Sequence, residues 1–139
     1  SQEIAERSVE EFKILLVEDN LVNQKLAMAL LHKIGLTADL ANNGDEALAI
    51  IEAHDFEYDL ILMDCQMPIM DGYRATEVLR QKESEESHIP VIALTANAMK
   101  GDEELCYSHG MDDYLAKPLD ATIFKQKIDF YIKMKREEQ

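Results

Sequence analysis

Nowhere in the chain does an apolar run approach the roughly 20 residues that a bilayer-spanning helix needs. No apolar leader opens it either, since the first stretch, "SQEIAERSVEE", is polar and acidic. These two absences predict a soluble cytoplasmic piece. A start at Ser1 instead of methionine points to an excised or processed fragment, with flanking domains missing. Basic residues are scarce, 14 Lys and Arg against 28 Asp and Glu. Phosphate backbones need a basic footprint, so direct nucleic-acid binding is not expected. The net charge of −14 is read as serving solubility. Cys65 and Cys106 form no CxxC pair and fit a reducing compartment. His32, His54, His88 and His109 are scattered without ligand spacing, which argues against zinc. Internal repeats and low-complexity tracts are absent as well.

What is present is an alternation of strand and helix patterns in a length that fits one domain. Residues 1–11 read as a linker or frayed segment, 12–135 as the domain, and 136–139 as a frayed end. Expected strands are "FKILLVED" (12–19), "LTADLA" (36–41), "YDLILMD" (58–64), "VIALTA" (91–96) and "DYLAKP" (113–118). Expected helices cover 23–35, stopped by Gly35, then a segment placing Ala47, Leu48 and Ile51 on one face, then 71–83, 97–110 and 120–135. Several strands are continuous apolar runs, and helices separate them. That pattern predicts an α/β fold with a doubly wound parallel sheet covered on both sides. In such sheets, sites form at the carboxyl ends of the strands.

Those strand ends carry chemistry. "YDLILMDCQMPIMDGY" (58–73) runs along a buried strand only to present Asp64, and a buried carboxylate is costly unless something uses it. The first strand ends in Glu18 and Asp19, the fourth in Thr95, the fifth in Lys117. If all point off one sheet edge, three carboxylates meet and repel, and a divalent cation removes the conflict. Oxygen ligands suit magnesium, which takes one or two carboxylates plus phosphate oxygens. Asp64 is then the natural nucleophile for a phosphoryl group. Lys117 neutralises charge on the transferring oxygens, Thr95 donates to one of them, and the backbone N–H groups of Gln66 and Ala96 complete the cradle.

These residues and spacings resemble the receiver domain of two-component response regulators. "VEDN" (17–20), "LILMDCQMPIMDG" (60–72), "ALTA" (93–96) and "KP" (117–118) carry the likeness, which extends from about Lys13 to about Lys133. The resemblance implies a flavodoxin-like, five-stranded sheet of order 2-1-3-4-5 with five helices. It implies that Asp64 is the phosphoacceptor, with Glu18 and Asp19 as the acidic pair. Asp19, Asp64 and the Gln66 backbone carbonyl become ligands of magnesium, with manganese as a substitute. Thr95 and Lys117 sense the phosphate, a cis bond joins Lys117 to Pro118, and Tyr114 is the switch aromatic. Phosphorylation would draw Thr95 in, turn Tyr114 inward and shift the surface of helix 4, strand 5 and helix 5. "EDNLVNQKLA", "LTANAMKGDEE" and "GMDDYLAKPL" look most like receivers of hybrid sensor histidine kinases, whose parent is a histidine protein kinase anchored in the inner membrane. The implied partner is a phosphohistidine-bearing kinase or histidine-phosphotransfer domain. The domain would promote its own phosphorylation and dephosphorylation without being a conventional turnover enzyme.

Other readings compete. A haloacid-dehalogenase-like phosphohydrolase needs a second acid two residues after the nucleophile, where this chain has Gln66. A flavodoxin-like cofactor binder needs a phosphate-cradling loop after the first strand, where "VEDNLVNQ" would repel phosphate. A stand-alone regulator and an inactive, binding-only receiver complete the set. Acidic neighbours disfavour a Cys65 thiolate, so a structural role is expected there, and Cys106 reads as core. On the first helix, Val22, Leu26, Leu30 and Ile34 read as the core stripe, with Leu21, Met28 and Leu31 on other sides. Leu21, Val22, Asn23 and Met28 are expected to dock the histidine-bearing helix of a phosphodonor.

Overall fold

The computed structural model describes residues 12–84, 86–96 and 100–138. The expected leading segment 1–11 and the expected first turn of the fourth helix, 97–99, lie outside the described residues. Strands β1 (Ile14–Val17), β2 (Ala38–Ala41), β3 (Leu60–Asp64), β4 (Val91–Thr95) and β5 (Asp113–Ala116) alternate with helices. These are α1 (Leu21–Lys33), α2 (Gly44–Ala53), α3 (Gly72–Lys82), α4 (Lys100–Ser108) and α5 (Ala121–Glu138). All strand pairs are parallel, in the expected order β2-β1-β3-β4-β5.

The sheet has two apolar faces because its central strands are buried from end to end. Successive side chains point to opposite faces, so each strand feeds two cores. Leu15, Val17, Ile61, Met63, Val91 and Ala93 pack with Ala47, Ile51, Ala75 and Leu79 under α2 and α3. Ile14, Leu16, Leu60, Leu62, Ile92 and Leu94 pack with Ala27, Leu31, Phe124 and Ile128 under α1 and α5. β2 and β5 are the edges and are less buried, each with one buried residue, Ala41 and Leu115.

Side-chain oxygens start α1, α2 and α3. Asn20, Asn43 and Asp71 accept from the N–H groups of Asn23, Glu46 and Arg74, at 3.0, 2.9 and 2.8 Å. α1 therefore begins two residues earlier than its apolar pattern predicts, and Gly35, at φ +79°, follows its end. α5 continues to Glu138, past the expected frayed end at 136. Lys135 and Arg136 in its last turn face the negative end of the helix dipole, which supports the extension.

The core face of α1 differs from the expected stripe. Gln24, Ala27 and Leu31 are buried, whereas Val22 and Leu26 are exposed. Gln24 is held inside because its amide donates to the Glu18 carbonyl at 2.6 Å and to Asn42 Oδ1 at 3.0 Å. A satisfied amide is cheap to bury, and this one turns the helix by its polar contacts.

Glycine at 72 positions the start of α3. A Cβ there would lie 2.2 Å from the Asp64 carbonyl oxygen, so no side chain fits. The helix thus packs directly against the end of β3, and the chain between them forms a tight loop over that strand end.

Candidate functional site

Each expected acid, the threonine and the lysine arrive at one edge of the sheet. Glu18 and Asp19 follow β1, Asp64 ends β3, Thr95 ends β4 and Lys117 follows β5. They line a cleft of about 320 Å³, together with Gln66 and Ala96. Lys117 Nζ lies 3.1 Å from Glu18 Oε2 and 3.2 Å from Asp64 Oδ1. The Lys117 N–H donates to the Thr95 carbonyl at 2.8 Å, which ties β5 to β4 at the cleft, and the Lys117–Pro118 bond is cis.

The acids are held by different means. Glu18 is 1% exposed, its Oε1 accepts from Asn23 Nδ2 at 3.0 Å, and its N–H donates to the Ala41 carbonyl at 3.0 Å. Asp64 is 5% exposed and Oδ1 accepts from the Gln66 N–H at 3.2 Å. Asp19 is exposed at the mouth. Burial, then the hydrogen bond and repulsion from Glu18, push the Asp64 carboxyl up to about 7, against the pull of Lys117 and the Gln66 N–H. Burial draws the Lys117 ammonium down, but Asp64 and Glu18 outweigh it, so it stays more firmly protonated than usual.

This donor set fits a hard divalent cation. One oxygen each from Glu18, Asp19 and Asp64 lies within 4.8 Å of the others. All are carboxylates, the choice that magnesium or calcium favours over softer metals. Among the described residues only the Lys117 ammonium pairs with Glu18 and Asp64, and burial together with Glu18 raises the proton affinity of Asp64 in spite of it.

Some expected residues stand elsewhere. Tyr114 does not line the cleft; it pairs in register with Ala93, packs half-buried on the core, and carries Lys127 Nζ 5.2 Å from its ring centre. Leu21 and Val22 are exposed beside the cleft, 61% and 73%, while Asn23 turns inward to Glu18. Met28 is half-buried against the core shared with α5, so it belongs to packing and not to the exposed rim; Leu26 is the exposed large apolar residue of that turn. Burial pushes the Cys65 thiol up to about 12 and raises Cys106 as well, which suits the expected structural roles. Tyr73, Asp102 and Leu105 also line the cleft. No sequence pattern singled them out, because they reach it from helices α3 and α4 and not from strand ends.

A family model described as the response regulator receiver domain matches residues 14–129. The chain belongs to that family. This receiver domain is 40% identical over 132 residues to hybrid signal transduction histidine kinase K of Dictyostelium discoideum, covering 89% of this chain and 11% of that protein. It is 40% identical over 155 residues to histidine kinase 1 of Arabidopsis thaliana, covering 88% of this chain and 13% of that protein. The chain thus spans a small part of the curated relatives it matches.

Among solved structures, it resembles the receiver domain of a sensor histidine kinase of Pseudomonas aeruginosa, which holds a magnesium ion coordinated in its active site cleft. That pair is 44% identical with a TM-score of 0.74, covering 87% of this chain and 97% of the other. A second likeness is to the co-crystal structure of the Saccharomyces cerevisiae histidine phosphotransfer protein Ypd1 with the receiver domain of its response regulator Ssk1. There the identity is 29% and the TM-score 0.80, covering 91% of this chain and 92% of the other. Among the described residues no helix is long and apolar enough to cross a membrane.

Proposed function

We propose that this receiver domain accepts a phosphoryl group from phosphohistidine onto Asp64, as a cytoplasmic module of a hybrid histidine kinase. The observation that carries the reading is Lys117, whose ammonium lies within 3.2 Å of both Glu18 and Asp64 inside one open cleft. An Asp64 carboxylate oxygen attacks phosphorus, the P–N bond breaks, and the imidazole leaves with the electron pair. Asp64 must be ionised to attack, and the adjacent ammonium favours that form. Lys117 then stabilises charge on the transferring oxygens, and Thr95 with the N–H groups of Ala96 and Gln66 orients them. Glu18, Asp19, Asp64 and the Gln66 carbonyl would hold magnesium, or manganese in its place. When bound, the cation neutralises the acids and the incoming phosphoryl group.

The new charge on Asp64 would draw Thr95 toward it, and Tyr114 would turn in behind. That movement shifts the surface made by α4, β5 and α5 between two packings. Leu21 and Val22 help seat the phosphohistidine partner at the cleft mouth, with Asn23 beneath them. Intact mass after incubation with acetyl phosphate and magnesium tests the reading. The natural chain should gain one phosphoryl group and Asp64→Asn none. Equal adducts on both, or none on either, would overturn it.

A further inference from the structure

Among the described residues, the buried polar side chains are those of Glu18, Gln24, Asp64, Thr76 and Thr95. Glu18, Asp64 and Thr95 line the cleft, and Thr76 donates to the Gly72 carbonyl of its own helix at 2.8 Å. Gln24 does neither. It lies behind the cleft, on the face of α1 that also buries Ala27 and Leu31. An apolar side chain would pack there without an amide to satisfy.

Both hydrogens of that amide are committed. One goes to the Glu18 carbonyl at 2.6 Å, in the turn after β1, and the other to Asn42 Oδ1 at 3.0 Å, in the turn after β2. Asn42 in turn donates to Glu46 Oε1 at 3.2 Å, in the first turn of α2. The amide therefore ties α1 to the two loops that leave the adjacent strands.

The Glu18 carbonyl belongs to the peptide that joins Glu18 to Asp19. A peptide is planar, so a bond that fixes the carbonyl also fixes the nitrogen and Cα of Asp19. Asp19 is exposed, and its direction is set by the backbone before it and not by packing. Glu18 is held separately, through its N–H on the Ala41 carbonyl and its Oε1 on Asn23 Nδ2, each at 3.0 Å. Of these contacts, the one from Gln24 falls on the link between the two acids.

We propose that Gln24 is a positioning residue for the metal site, holding the Glu18–Asp19 peptide so that the cleft prefers magnesium to calcium. This rests on the reading of the cleft as a magnesium site. Oxygens of Glu18, Asp19 and Asp64 lie within 4.8 Å of one another, and Asp19 is the member that its own burial does not hold. Magnesium demands near-ideal octahedral geometry at short distances, whereas calcium accepts longer and less regular ones. Loosening Asp19 therefore penalises magnesium more.

The test titrates magnesium and calcium, each alone, into the natural chain and its variants by calorimetry. Gln24→Met keeps the side chain long and removes both N–H donors. Its magnesium Kd should rise about tenfold, the scale of losing a group that orients a ligand, and its calcium Kd by no more than about threefold. Asn42→Ala, at an exposed position, removes only the acceptor of the second amide hydrogen, and should lower the magnesium preference by about threefold. Ala27→Gly, buried on the same helix, should lower Tm and leave both Kd values unchanged. An unaltered magnesium Kd in Gln24→Met overturns the proposal. So does an equal loss of both ions, or a change of preference in Ala27→Gly as large as in Gln24→Met. If Gln24→Met does not fold, Asn42→Ala decides: a lowered preference supports the role and an unchanged one overturns it. If the natural chain binds neither ion, the metal reading of the cleft fails and the role of Gln24 falls with it.

Discussion

The two ends of the sheet handle charge in opposite ways. At the amino-terminal end of the strands, carboxylates are matched with donors. Asp59 accepts from the Lys13 N–H at 2.7 Å and pairs with Lys135 at 2.8 Å. Asp112 takes Arg80, His88 Nε2 and the Val91 N–H, each at 2.8 Å. Glu83, nearly buried, takes Arg80 and the Ile89 N–H, each at 2.7 Å. At the carboxyl end, Glu18 and Asp64 share one ammonium, with Asp19 alongside. One end closes the fold, and the other leaves its carboxylates only partly matched by positive charge. The fold tolerates the second arrangement because three parallel strands, each buried throughout, hold the loops that carry it.

The largest expected effect comes from removing the Lys117 ammonium at the carboxyl end. Lys117→Met should slow phosphoaspartate formation from acetyl phosphate by about 100-fold or more, the scale of losing a preorganised charge at a transferring group. Magnesium affinity, read by titration, should hold or rise, since a competing cation is gone. A variant that labels at the natural rate would mean that Lys117 only pairs charges, as Lys135 does at the other end.

Arg80 supplies the reverse case. Its guanidinium reaches the carbonyls of Gly110 and Ile89, each at 2.9 Å, as well as Glu83 and Asp112. Arg80→Ala strands a nearly buried Glu83 and frees two loops, so chemical denaturation should show a loss of about 3 kcal/mol. Labelling by acetyl phosphate, measured well below Tm, should be unchanged. A loss of labelling in the folded variant would show that the two ends are coupled.

The same division governs how far the sequence could be read. The strand order and the convergence of Glu18, Asp19, Asp64, Thr95 and Lys117 were legible, because each residue sits at the end of an apolar run and the motifs resemble one family. The core face of α1 was not. Periodicity counts apolar residues, and it cannot see that Gln24 is buried by two hydrogen bonds from its amide. Nor does a pattern reveal the positive φ of Ile69, +70°, since its usual marker is glycine and none stands there. Tyr73, Asp102 and Leu105 were missed for a third reason. They enter the cleft through the packing of α3 and α4, which is tertiary information.

The smallest effect concerns the proton on Asp64. In the unfolded chain this carboxyl has its ordinary value of about 3.8, and in the folded, metal-free protein burial and Glu18 push it up to about 7. The folded state therefore holds the proton more tightly. Stability from that source is present at low pH and is lost as pH rises from about 4 to about 7, because ionising Asp64 beside Glu18 is easier in the unfolded chain. Asn at the same position has no charge to lose. In a chelator, the stability of the natural chain relative to Asp64→Asn should fall by about 2 kcal/mol between pH 5 and pH 8. Magnesium should reverse most of that loss at pH 8, since it binds the ionised, folded site. A natural chain that instead gains stability relative to Asp64→Asn as pH rises would mean that Lys117 alone satisfies both acids, and the contrast between the two ends would disappear.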